Sequence, residues 1–289
     1  MKAKQFLNTL LQEFVYGGHL ISLGIPAIIS AAIILLKQDF NFILLINGYL
    51  LTFISYRYNY YWEIKGDSLT NPDRVQYLAK SLKFSQSLIV IYFLILCVFL
   101  IVFTNFKIIL FSIFFLIIGI FYTRRFKRIT KRIVGFKNLY IGFSWALFVG
   151  FISLYYSFFG WILFFLSLFI FLRLLLNTIF FDIKDIEADK RDGIKTIPVI
   201  LGQEKIIKFL HILNILSFMP IIVGFYLNYF SKIALALLIF YFYSFYYIEK
   251  LKDKDANIRK ISYLLVDSEY FFWPIILLLA KLLNKFLIK

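Results

Sequence analysis

Apolar runs long enough to cross a bilayer, separated by polar breaks, fill the chain from residue 15 onward. A spanning helix needs about 17–25 predominantly apolar residues. Nine stretches meet that length: 15–36, 41–62, 84–104, 106–122, 138–157, 159–181, 206–226, 230–248 and 261–283. The connections at 37–40, 105, 158 and 227–229 are very short, whereas those at 63–83, 123–137, 182–205 and 249–260 are longer and polar. Ahead of the first span, Phe6, Leu7, Leu10, Leu11 and Phe14 recur at helical spacing, opposite Lys2, Lys4, Gln5, Asn8, Gln12 and Glu13. This pattern predicts an interfacial helix leading into the membrane. A polar start of the first spanning helix fits the spacing equally. The first residues lack the small-residue cleavage site of a signal peptide.

The fold class expected is therefore all-α, a polytopic membrane protein. Composition agrees, with 62% apolar and 21% aromatic residues against roughly 45–50% apolar in soluble domains. The single Cys97 cannot form an internal disulfide, and His19 and His211 leave little for a histidine metal site. The net charge of +16 would suggest nucleic acid in a soluble protein. Here 24 of the 32 basic residues fall in the N-terminal segment and the four longer loops. That bias follows the positive-inside rule, so no nucleic-acid partner is expected. It predicts a cytoplasmic N-terminus, cytoplasmic longer loops and an outer C-terminus.

Acids are costly within a bilayer, so their placement is informative. Nine of the 16 lie in two segments. The first ends the second predicted span and includes Asn59, Glu63, Asp67 and Asp73. The second ends the sixth and includes Asp182, Asp185, Glu187, Asp189 and Asp192, with Glu204 beyond. Asn59, Glu63 and Asp67 are spaced i, i+4, i+8, and Asp182, Asp185 and Asp189 i, i+3, i+7, so each set shares one face of a continuous helix. Stacked carboxylates repel and call for a cation. Oxygen donors without nearby His or Cys favour a hard ion such as Mg²⁺, which accepts one or two carboxylates plus substrate phosphates. Two such faces at one membrane surface suit a diphosphate clamped through magnesium. The competing reading is a pair of solvated loop charges.

These residues resemble the motifs of the UbiA superfamily of intramembrane prenyltransferases. Its first motif, Asn-(Asp)-x-x-Asp-x-x-x-Asp, is matched by Asn59, Tyr60, Glu63 and Asp67. Its second, Asp-x-x-Asp-x-x-x-Asp followed by Gly-x-x-Thr-x-Pro, is matched by Asp182, Asp185, Asp189, Gly193, Thr196 and Pro198. The pairs Tyr122-Thr123 and Lys137-Asn138 are also similar to the family. There are two departures: Glu63 lengthens the reach to a metal by one methylene, and Tyr60 stands where many members carry Asp.

The resemblance implies one transmembrane domain of nine helices around a central cavity, with motif-bearing halves of about 1–137 and 138–289. It implies Mg²⁺-dependent prenyl transfer from an isoprenyl diphosphate to a hydrophobic, aromatic or lipid-precursor acceptor, at the cytoplasmic side of the membrane lipid. The metal ligands would be Asn59, Glu63, Asp67, Asp182, Asp185 and Asp189. Catalysis would rest on Asn59, Glu63, Asp67, Asp185 and Asp189. Tyr122 and Lys127 are favoured as diphosphate contacts, with Arg74 or Lys195 as alternatives. The rest of the basic run, Arg124 to Arg132, reads equally as an anchor on anionic lipid.

Arg173 and Asn177 lie deep in the sixth span, where an arginine should face the bundle interior. Pairing with Asp267 or Glu269 and contact with substrate are both open, and Arg57 poses the same choice. His19 reads as a packed residue rather than an acceptor contact. Pro26, Pro220 and Pro274 predict kinks. A terpene cyclase of the same superfamily and an ion or phosphate transporter are the alternative functions. Transporter sites lie near the bilayer midplane, unlike these acids.

Overall fold

The computed structural model describes residues 2–64, 72–80, 82–253 and 255–287. Among the described residues all regular structure is helical. Eight helices among the described residues are long and apolar enough to cross a membrane: α2 (His19–Leu36), α5 (Leu82–Phe103), α6 (Phe106–Arg124), α7 (Phe136–Tyr156), α8 (Trp161–Ile183), α10 (Ile197–Tyr226) and the helical segments Lys232–Lys252 and Ile258–Lys285. The expected span at 41–62 is α3 (Phe42–Glu63). Its 22 residues extend about 33 Å, but Asn47, Arg57 and Asn59 dilute its apolar character.

Local chemistry sets several boundaries. Asn41 and Asn105 cap α3 and α6, their side-chain oxygens accepting the amides of Ile43 and Ile108. The first predicted span splits at Gly17-Gly18. Gly18 has φ 97°, a left-handed conformation that glycine adopts without a Cβ penalty. The N-terminal amphipathic segment is consequently a separate helix, α1 (Lys2–Tyr16). The seventh span extends back to Ile197, and Gly202 with φ 72° and ψ 171° breaks it.

The chain packs as two compact units, one of residues 1–26 and 41–126, the other of 27–40 and 127–289. In the first unit α3 packs against α5 and α6, and α1 against α4 (Pro72–Lys80). Leu50, Leu51 and Phe53 of α3, Leu96 of α5 and Ile108 of α6 are buried core. A Cβ at Gly119 would come within 2.8 Å of Ser55 Oγ, so α6 approaches α3 closely because residue 119 has no side chain. Arg57 is fully buried and resolves as structural here. It donates to Glu13 Oε1 at 3.1 Å, Gly17 O at 2.8 Å and Ser85 Oγ at 2.9 Å. Glu13 also accepts from Tyr77 and lies 3.3 Å from His19 Nε2. The His19 ring stacks on Phe53 at 4.5 Å, the packed role expected.

In the second unit α8 packs between α7 and α10. A core cluster joins Leu176, Ile179 and Phe180 of α8, Ile206 and Leu210 of α10, Tyr247, Ile248 and Val266. The segment Lys232–Lys252 begins as a 3₁₀ turn, Lys232–Leu238, and continues as α11 (Ile239–Glu249). The last span comprises α12 (Ile258–Ile261), a π turn at Ser262–Val266 and α13 (Glu269–Leu287). A π turn exposes backbone carbonyls that must find partners in an apolar setting. Asn177 Nδ2 donates to Val266 O at 3.1 Å, and Tyr243 OH donates to Leu265 O at 2.9 Å.

Arg173, also open between pairing and substrate, is buried on α8 and bonds Glu269. Its Nε donates to Glu269 Oε1 at 3.0 Å and Nη2 to Oε2 at 2.5 Å. Nη1 donates to Asn214 Oδ1 at 2.8 Å and Ser217 Oγ at 3.2 Å, and Nη2 also to Ser244 Oγ at 2.5 Å. Those five bonds use all five guanidinium N–H groups.

Candidate active site

Each unit carries one acidic motif at the end of an apolar helix. In the first, Asn59 and Glu63 sit in the last turns of α3, on one face as their spacing predicts. Asp67, the third member, lies outside the described residues. Asn59 Nδ2 donates to Thr123 Oγ1 of α6 at 3.1 Å. Thr123 follows Tyr122 in the last turn of α6. Around this helix end the aromatic rings collect cations. The Arg74 guanidinium lies 4.1 Å from the Tyr60 ring centroid and that of Arg124 4.7 Å from Trp62. Arg124 Nε also donates to Tyr58 OH at 2.8 Å. Tyr60, the departure from the acidic motif, thus serves Arg74 through its π face. The Lys127 side chain lies outside the described residues.

The second motif departs from its expected shape. Asp182, Asp185 and Asp189 do not share a continuous helix, because α8 ends at Ile183 and a new helix, α9 (Ile186–Arg191), starts after Asp185. Asp185 has φ −105° and ψ 1°. The break spreads three carboxylates that one helix face would stack.

Their partners differ. Asp182, 1% exposed, is held by Lys137 Nζ at 2.5 Å and Asn138 Nδ2 at 2.8 Å. Both donors stand in the first turn of α7. Asp185 accepts from Lys184 Nζ at 3.0 Å on each oxygen. Asp189 is buried, and its Oδ2 has no hydrogen-bond partner. Burial pushes the Asp189 carboxyl up to about 6, with Asp182 and Asp185 adding to the rise, while the Lys137 charge and the Thr196 hydroxyl oppose it. Asn138 Oδ1 is likewise buried without a hydrogen bond. Lys195 is exposed. Its backbone N–H donates to Thr130 O and its carbonyl accepts from Gly135 N–H, both at 3.0 Å.

Among the described residues no three His, Cys, Asp or Glu side chains converge as a ready metal cage. The donors still fit magnesium. They are hard oxygens, one of them, Asp189 Oδ2, is buried without a hydrogen bond, and Mg²⁺ takes one or two carboxylates beside water and phosphate. In the first unit Asn59 and Glu63, and in the second Asp185 and Asp189, carry oxygens of the kind that would hold it. The sequence reading gave no part to Thr123 in holding Asn59, nor to Lys137 and Asn138 in holding Asp182. The available signal was polar residues at the boundary of an apolar run, where burial demands a partner.

A digeranylgeranylglyceryl phosphate synthase of Methanosphaera stadtmanae is 35% identical over 103 residues, 34% of this chain and 38% of that protein. The chain therefore matches well under half the length of this relative. The apo structure of a UbiA homolog from Aeropyrum pernix K1 superposes with a TM-score of 0.68 at 15% identity, covering 92% of this chain and 98% of that one. A UbiA homolog from Archaeoglobus fulgidus, bound to GPP and Mg²⁺, gives 0.66 at 13% identity over 93% and 98%. The model of the UbiA prenyltransferase family matches residues 21–275. With that match spanning most of its length, the chain belongs to the UbiA prenyltransferase family.

Proposed function

We propose that the protein transfers a prenyl group from an isoprenyl diphosphate to a lipid-type acceptor, with Mg²⁺, at the cytoplasmic face of the membrane. The observation that carries this reading is Asp189 Oδ2, buried without a hydrogen bond in the acidic segment that follows the apolar helix α8. A carboxylate so placed is costly unless a cation completes it. Asn59, Glu63 and Asp67 supply oxygens from the first motif, and Asp185 and Asp189 from the second. Bound Mg²⁺ would neutralise the charge that grows on the diphosphate as it leaves. Tyr122, Lys127, Arg74 and Lys195 are the proposed diphosphate contacts, adding donors to the same charge. Aromatic rings facing the developing allylic cation would stabilise it, while apolar helices accommodate the prenyl tail. Two matched relatives named digeranylgeranylglyceryl phosphate synthase favour a prenylated glyceryl phosphate as acceptor over an aromatic acid.

The test is mass spectrometry of products from the full-length protein in lipid vesicles, given labelled geranylgeranyl diphosphate and Mg²⁺. Acceptors would be geranylgeranylglyceryl phosphate, 4-hydroxybenzoate, or none. A diether from the first supports the reading, and its loss on chelation supports the metal. A prenylated benzoate would replace the acceptor assignment. A cyclic hydrocarbon formed without acceptor would replace transfer with cyclisation, and no product under any condition would sink the proposal.

A further inference from the structure

Beside the motif contact between α3 and α6 lies a second cross-link. Asn59 is joined to Thr123, and their neighbours in sequence, Tyr58 and Arg124, are joined as well. Arg124 Nε donates to Tyr58 OH at 2.8 Å, and the guanidinium lies 4.7 Å from the Trp62 ring centroid. Tyr58 and Trp62 stand one turn apart on α3, with ring centroids 6.1 Å apart. Tyr61 meets Trp62 edge-on at 6.0 Å and accepts from Gln86 Nε2 of α5 at 2.5 Å, so this aromatic shelf is tied to a third helix. Among the described residues, none accepts a hydrogen bond from either terminal nitrogen of Arg124, and no carboxylate pairs with it. The Nε bond and the Trp62 ring fix the plane of the guanidinium. Its terminal nitrogens remain as a fork of the shape that takes two oxygens of one oxyanion.

We propose that Arg124 is the receptor for the phosphate of the lipid acceptor, and so selects a phosphorylated acceptor over an uncharged one. This rests on the prenyltransferase reading above. Arg124 is exposed at the end of α6, and Phe121 and Ile117, exposed three and seven residues before it, lie on the same face. An outward apolar stripe thus ends in a cation, the surface that suits an amphiphile with a hydrocarbon tail and an anionic head. The holders of the fork, Tyr58 and Arg124 itself, each adjoin a member of the Asn59–Thr123 contact. In a glyceryl phosphate the free hydroxyl belongs to the same glycerol unit as the phosphate, so a phosphate gripped at Arg124 keeps the attacking oxygen close to the first motif. The guanidinium stays charged throughout and takes no proton from that hydroxyl; its part is binding and alignment. A bilayer phospholipid offers the same phosphate without the hydroxyl, and the two sources are separable.

The experiment is steady-state kinetics of the full-length protein in vesicles, either of phosphatidylcholine alone or with phosphatidylglycerol added, given labelled geranylgeranyl diphosphate and Mg²⁺. The proteins are wild type, Arg124→Gln, Arg124→Lys and Tyr58→Phe. The acceptors are geranylgeranylglyceryl phosphate and its phosphate-free counterpart, geranylgeranylglycerol. Arg124→Gln should raise KM for the phosphorylated acceptor about 10–100-fold, the loss expected when hydrogen bonds to a charged group go. It should not move KM for the diphosphate, and it should erase the wild-type preference for the phosphorylated acceptor in both kinds of vesicle. Arg124→Lys keeps the charge but not the fork and should fall between Arg124→Gln and wild type. Tyr58→Phe, which releases Nε but keeps the ring, should raise the same KM by less than Arg124→Gln does. An unchanged acceptor preference in Arg124→Gln overturns the proposal. So does a matching rise in KM for the diphosphate, which would make Arg124 a donor contact. A loss confined to vesicles containing phosphatidylglycerol assigns the fork to bulk lipid and overturns it too. If Arg124→Gln does not fold, Arg124→Lys and Tyr58→Phe decide through the same preference. Wild-type protein that makes no prenylated product from either acceptor overturns the functional reading and this inference together. Wild-type turnover with the preference untouched in every variant overturns this inference alone.

Discussion

Replacing Glu269 with Gln should unsettle the second unit far more than its small change in size suggests. Glu269 takes two charge-assisted bonds from Arg173 and further contacts from Trp273 Nε1 at 3.3 Å and Tyr247 OH at 3.4 Å. Gln keeps one acceptor oxygen and turns an amide NH₂ toward a guanidinium that can only donate. Two bonds to a charged partner, at about 1.5–3 kcal/mol each, set the gross loss. Measured costs of removing one partner from a buried ion pair, roughly 3–5 kcal/mol, agree. At about 2–4 °C per kcal/mol for a unit of this size, Tm should fall by roughly 6–20 °C. Tryptophan fluorescence suits the melt, because Trp273 touches the pair and Trp145 is buried in the same unit. Arg173→Leu/Glu269→Leu, which strands no charge, should melt above Glu269→Gln. A Glu269→Gln protein melting within about 2 °C of wild type, under about 1 kcal/mol, would refute the reasoning.

Glu63 separates a displaced metal ligand from a decayed one. Glu63→Gln should lose most activity and Glu63→Asp should retain more, read as initial rate against Mg²⁺ concentration; a Gln curve superimposing on wild type removes Glu63 from the site. In the first unit, burial alone would raise the Glu13 carboxyl, but bonds from His19 and Tyr77 and the Arg57 charge hold it below the ordinary glutamate value. A depressed carboxyl stabilises the fold above its unfolded pKa, and that contribution is lost as pH falls through the folded one. The protection of α1 amides, measured as the unstructured exchange rate over the observed one at each pH, should therefore be high at neutral pH and fall on acidification below the ordinary glutamate range, while Glu13→Gln should show low protection already at neutral pH.

The spans were legible because a lipid-facing helix must be apolar over its whole length, and that signal survives without alignment. The pairings were less so. Arg173 needed an interior acid, and Asp267 and Glu269 satisfied the sequence equally. Both acids are buried after the π turn at Ser262–Val266, and Arg173 bonds Glu269. Arg57 finds Glu13 because the chain folds back at Gly17-Gly18, a contact across 44 residues that no local pattern encodes. In the candidate site, the helical phase of Asn59 and Glu63 carried over into α3. The phase of the second motif did not, since spacing assumes an unbroken helix and Lys184-Asp185 ends one.

The helices α5 and α6 have fewer than one in five residues buried within the protein. Mid-helix positions such as Leu94, Val98 and Phe114, at 58%, 56% and 50% exposure, face outward from the protein, where in a bilayer one bulky apolar side chain serves nearly as well as another. Drift among Leu, Ile, Val and Phe there is close to neutral, while a charge costs about 2.5–3.5 kcal/mol at mid-bilayer. Two lineages can therefore exchange most of their outer letters while the interior stays the same shape. That tolerance accounts for backbones that superpose over more than nine-tenths of the chain at 13–15% identity: the lipid enforces a kind of residue, and leaves its identity to chance.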